Sequence, residues 1–112
     1  MSEKPYLFHN ATQVSGQMSD TWSPAKGVEL HEVRLHSSEL MSPTTTLVVQ
    51  LDSGQGAVYD AQILDVSVSG ERSYVAGFAP PKIFRSGDSI VTTTGLAGEK
   101  NTYGLENVYK EI

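Results

Sequence analysis

Glu29, His31, Glu32 and His36 bring imidazole and carboxylate side chains closer together than anywhere else in this sequence. They are metal-ligand types, and a metal ion would need several of them on one side. In an extended strand residues five apart face opposite ways, so His31 and His36 cannot meet one ion unless a bulge resets the alternation. The spacing also departs from the His-Glu-x-x-His pattern of zinc-binding helices. These are expected to be ordinary strand histidines. Asp52-Ser-Gly-Gln-Gly has the oxygen-rich look of a calcium loop, but it lacks alternating acidic ligands and a terminal Glu. An Asp opening a Gly-rich turn is expected to hydrogen-bond its own backbone. Asp60 and Asp65 could be imagined as the paired acids of a glycosidase, yet five apart on one strand they diverge. Serine is abundant, but no Gly-x-Ser-x-Gly elbow occurs. Metal, cofactor and catalytic residues are all expected to be none, and the chain is read as not an enzyme.

The aromatics leave a second possibility. Trp22, Tyr59, Tyr74, Tyr103 and Tyr109 could form a sugar-stacking platform, or they could be core and interface rings with a polar tip. Trp22 lies in Ser15 to Lys26, a stretch rich in Gly, Asp, Pro and Ser that reads as a loop, so it is the best candidate for an exposed anchor.

Positioning these residues falls to β-strands. Thr46 to Ser69 holds two β-patterned runs, Leu47 to Asp52 and Val58 to Val68, joined by Ser-Gly-Gln-Gly, and reads as a hairpin. Leu47, Val49 and Leu51 share one face of the first run; Tyr59, Ala61 and Ile63 share one of the second. Tyr6 to Val14 is expected as a first strand after a loose end at residues 1 to 5. Gly27 to Ser38 is another, in which Val28 and Leu30 have opposite parity to Val33 and Leu35, predicting a bulge or a change of covered face. Ser73 to Ala79 groups Tyr74, Ala76 and Phe78 and is expected to stop at Pro80-Pro81. Lys82 to Arg85 reads as a separate short edge, and Gly87 as a positive-φ turn residue. Ser89 to Thr94 and Thr102 to Tyr109 complete the set. Seven or eight short strands with no helical spacing predict an all-β, antiparallel, jelly-roll-like sandwich. Residues 1–26 are read as an N-terminal arm with a first strand and loop, and 27–112 as the sandwich core of a single domain.

The 112 residues carry a net charge of −5 and no cysteine. An acidic chain with scattered Lys and Arg is a poor phosphate-backbone ligand, so nucleic acid is not expected as a partner. Lack of cysteine removes disulfides and thiolate chemistry. Neither a signal peptide nor an apolar run of about 20 residues is present, so synthesis in a cytoplasm and no membrane partner are expected.

Residues 35 to 112 contain a Leu-His-Ser start, Thr-Leu-Val-Val-Gln-Leu-Asp-Ser, Tyr59-Asp60, Gly87-Asp88-Ser89-Ile90 and a closing Thr-Tyr-Gly-Leu. This cast resembles the small β-sandwich proteins of tailed-bacteriophage structural gene clusters. The Ser-Gly-Asp-Ser-Ile segment also resembles a turn of tumour necrosis factor-like jelly rolls, which assemble as trimers. The first resemblance implies a virion component: a capsid decoration (cement) protein, or a neck or tail accessory. Its expected partners are the major capsid protein or other virion proteins and further copies of itself, a trimer among the options. The residues expected to make those contacts are Tyr6, Phe8 and Trp22. The alternative is a carbohydrate-binding sandwich on a tail fibre or receptor-binding component.

Overall fold

A computed structural model describes residues 8–96 and 98–112. Eight strands follow one another: β1 (Phe8–Ser15), β2 (Met18–Trp22), β3 (Val28–Ser37), β4 (Thr46–Asp52), β5 (Ala61–Ser67), β6 (Ser73–Phe84), β7 (Ser89–Thr94) and β8 (Thr102–Glu111). One 3₁₀ turn, Ala57–Tyr59, precedes β5. The strands form two antiparallel four-stranded sheets, ordered β1-β8-β3-β6 and β2-β7-β4-β5. This order is that of an eight-stranded jelly roll, the expected architecture.

Alternation in the sequence dictates most of the packing. Leu47 and Val49 of β4 are fully buried, as are Leu30, Val33 and Leu35 of β3, Ile90 of β7 and Tyr103 of β8. They form one cluster with Val28, Phe84 and Leu105 between the sheets. The parity change in β3 is a bulge: the register against both β6 and β8 shifts between Leu30 and Glu32. Val28 and Leu30 therefore stay on the inner side with Val33 and Leu35.

Three expectations are corrected. The stretch Ser15 to Lys26 is not a loop throughout, because Met18–Trp22 forms β2 and pairs with β7. Its Met18, Asp20 and Trp22 alternate inward, and that tertiary placement outweighs the loop-like composition. Residues 8–22 thus supply one edge strand to each sheet. In the hairpin, the inward set of β5 is not Tyr59, Ala61 and Ile63. Tyr59 is 60% exposed and Ala61 is exposed. A register shift between Val49 and Gln50 puts Leu64 opposite Val49, so Leu64 and Val66 join Ile63 against the core. Finally, Pro80-Pro81 does not end β6. Phe78 to Pro81 have no partners in the β3 ladder, which resumes at Lys82 opposite Leu30. An edge strand tolerates this, since nothing on its other side requires the missing N–H donors.

Candidate functional site

Both outer faces are open to contact, and they differ in chemistry. On the β1-β8-β3-β6 sheet, Glu106 lies between an imidazole and a guanidinium. His9 Nδ1 is 3.0 Å from its Oε2, and Arg34 Nη1 is 3.3 Å from its Oε1. Arg34 also meets Glu32 through two bonds, Nε to Oε1 at 3.3 Å and Nη2 to Oε2 at 3.2 Å. The bond from His9 holds the Glu106 carboxyl below the usual carboxylate range, with Arg34 adding to the effect. Beside this chain lies a shallow depression of about 350 Å³ bordered by Ala11, Gln13, His36 and Gly104.

The β3 bulge also settles the histidines. His31 bonds Glu29 at 3.3 Å on this same outer face, and His36 is exposed further along it. Five positions apart along the strand, they stand roughly 15 Å from each other, too far for one ion. No group of three or more His, Asp or Glu side chains converges among the described residues.

The outer face of the β2-β7-β4-β5 sheet contains hydroxyl, amide and aliphatic side chains: Thr21 beside Val91 and Gln50, and Ser19 beside Thr93 and Val48. None of its four strands contains Lys or Arg. A recess of about 350 Å³ is bordered there by Gln50, Asp52, Asp60, Gln62 and Val91.

Of the acids that looked reactive, Asp60 holds a loop and Asp65 bonds a neighbour in its own strand. Asp60 Oδ1 accepts from Ser53 N at 2.8 Å, and Asp65 Oδ2 accepts from Gln62 at 3.4 Å. The Asp52 turn is braced from outside itself. Asp88, only 7% exposed, accepts from Gly54 N through Oδ1 and from Arg85 N through Oδ2, each at 2.9 Å. It pins the β4–β5 turn to the β6–β7 turn so closely that a Cβ on Gly54 would lie 2.5 Å from Gly87 O. Gly87 has the positive φ, 97°, expected of it. Reading the sequence picked out this Gly but missed Asp88 as a brace between turns, since its partner Gly54 lies 34 residues away. At the opposite end Tyr103 donates to Glu99, which also accepts from Ser42 Oγ at 3.3 Å. Burial and the adjacent carboxylate push the Tyr103 phenol up.

Two of the three expected contact residues come together. The ring of Tyr109 stacks at 4.6 Å from Trp22 and at 5.7 Å from Phe8, tilted against each. Phe8 is 45% exposed and Trp22 is half-buried, so Phe8 is the accessible member of the clasp. Tyr6 lies outside the described residues. The sugar-platform set does not form one exposed surface: Trp22 and Tyr109 meet but are half-buried, as is Tyr74, Tyr103 is buried, and Tyr59 is exposed on the 3₁₀ turn.

No family model matches this chain, and no curated protein does. A solved structure named turnip yellow mosaic virus aligns with 99% of this chain and 82% of its own at 8% identity, with a TM-score of 0.39. A likeness at that level identifies neither a family nor a role. Among the described residues no helix is long and apolar enough to cross a membrane.

Proposed function

We propose that this chain is a non-enzymatic structural protein of a virion, of the capsid decoration type, which acts through protein–protein contacts and self-association. The observation that carries the reading is where its large apolar side chains reach solvent. Phe8 on β1 and Val75 and Ile83 on β6 are 45%, 53% and 54% exposed, and each belongs to an edge strand. Val58 and Tyr59, 86% and 60% exposed, sit just before β5, another edge. Apolar groups beside unpaired strand edges are what a sheet offers to a partner, whether by added strands or by side-chain docking. Asp60 braces a turn, Asp65 bonds Gln62 along its own strand, and Glu29 and Glu32 bond His31 and Arg34, which suits a scaffold. The jelly-roll strand order recurs in viral capsid proteins and in lectins, so the fold is compatible with the role without choosing it. The phage-like motifs at residues 35–112 favour the virion.

The test is to express a tagged copy during infection by a tailed phage whose structural gene cluster encodes the chain, then purify particles on a density gradient. The tag is expected to co-sediment with particles and to label their heads in electron micrographs. Particles without label would reject the proposal.

A further inference from the structure

The interior of the sandwich is not uniformly apolar. Asn10 on β1 pairs with Asn107 on β8, and Asp20 on β2 pairs with Thr92 on β7. Cross-strand partners share a face, and with Asn107 and Thr92 at 0% exposure that face is the inner one. Thr12, two residues along β1 from Asn10, faces Asp20 from the opposing sheet, and its hydroxyl offsets part of the effect of burial on that carboxyl. The Trp22–Tyr109 pair fixes the neighbouring layer. Both amide atoms of Asn107, the Thr92 hydroxyl and Asp20 Oδ2 have no hydrogen-bond partner among the described residues. Burial pushes the Asp20 carboxyl up.

This polar layer lies where β1 and β2 meet the rest of the molecule. The two strands form an arch, Phe8 to Trp22, that supplies one edge to each sheet; without it, β8-β3-β6 and β7-β4-β5 stay intact. Of the thirteen buried residues in the apolar cluster, Met18 alone comes from the arch, with Val14 and Trp22 partly buried against it, so the arch takes only a small share of the apolar core. The rest of its hold comes from the ladders to β8 and β7, the bond from Gly16 N to Asn101 O at 2.7 Å, and the packing of Phe8 and Trp22 on Tyr109. Every one of these is made with an edge that an identical arch from another molecule fits equally well. The link to β3, Ser23 to Gly27, spans roughly 17 Å when extended, enough to carry the arch off its own body. Short hinges of this kind favour exchange.

We propose that the β1–β2 arch is exchanged between copies, the arch of one chain docking on β7 and β8 of a second to build strand-exchanged oligomers. This goes beyond the virion reading and holds for any role the chain performs.

The cysteine-free sequence makes the test direct. Ser19 and Thr93 are register partners across β2 and β7 on the outer surface. The full chain carrying Ser19→Cys and the full chain carrying Thr93→Cys are unfolded, mixed at high concentration, refolded and mildly oxidised. Exchange is expected to give a disulfide-linked heterodimer on a non-reducing gel. Its yield should be at least fivefold that of a control mixture of Ser19→Cys with Ser67→Cys, a position on β5, which β2 does not touch. A single chain carrying both Ser19→Cys and Thr93→Cys shows by its internal crosslink that the pair can form. If that chain crosslinks internally while the mixture yields no more heterodimer than the control, arch exchange is overturned. Particle labelling and crosslinking are separate readouts, so either proposal can fail alone.

Discussion

The two sides of the sandwich interior are built from different materials. Around β3 and β4 the inner faces present Leu30, Val33, Leu35, Leu47 and Val49, all fully buried. Around the arch the corresponding layer presents Asn10, Thr12, Asp20, Thr92 and Asn107, four of whose polar atoms go unpartnered among the described residues. Burying apolar surface stabilises by about 25 cal/mol per Å², whereas an unpartnered buried polar atom costs about 1–3 kcal/mol. The β3/β4 side therefore supplies stability, and the arch side is held by backbone pairing against an internal cost. A fold with one firm side and one loose side has a built-in order of opening.

Substitutions can break or sharpen that contrast. The largest effect is expected on the firm side, where Leu35→Ala should lower unfolding free energy by roughly 2–5 kcal/mol in urea titrations. Asp88→Ala comes next, with a loss of about 2 kcal/mol, because it leaves the Gly54 and Arg85 N–H groups without their acceptor; the same titrations measure it. On the loose side the sign should reverse. Thr92→Val keeps the shape and removes an unpartnered hydroxyl, so a gain of about 1 kcal/mol is expected; a loss would show that the hydroxyl is satisfied after all.

The smallest effects are pH-dependent and opposite in sign. Asp20 has a raised pKa when folded, so its contribution favours the folded state below pH 3.8 and is lost as pH rises through the folded value. Asp20→Asn should therefore raise the melting temperature at pH 7, by an amount that shrinks as pH falls toward 3.8. Glu106 has a lowered pKa, so its contribution is present above pH 4.5 and is lost as pH falls through the folded value. Glu106→Gln should lower the melting temperature at pH 7 and make no difference in strong acid. Melting curves across pH for both variants check the pair.

Much of the firm side is legible in the chain itself. Period-two alternation marks β4, β7 and β8, and the parity break between Leu30 and Val33 announces the bulge in β3. The arch is less legible, because Gly16, Asp20, Ser23 and Pro24 give its second strand the composition of a loop. Pairing with β7 overrides that composition, and only the fold supplies it. Pro80-Pro81 misleads in the same way, since its effect depends on β6 lying at an edge. The polar layer is invisible in sequence order. Asn10 and Asn107, or Asp20 and Thr92, mean nothing together until the strands are laid side by side. Phe8 and Trp22 can be singled out as aromatics in the sequence, but their meeting on Tyr109 is a long-range fact.

The uneven distribution of cations has a practical side. Among the described residues Lys82 and Lys110 are the only strand lysines, and both belong to the β1-β8-β3-β6 sheet. Coupling the protein to a bead or dye through primary amines would therefore modify no side chain in β2, β7, β4 or β5. Trypsin, likewise, would release Leu35 to Arg72 as one uncut peptide, carrying β4 and β5 into the mass spectrometer together.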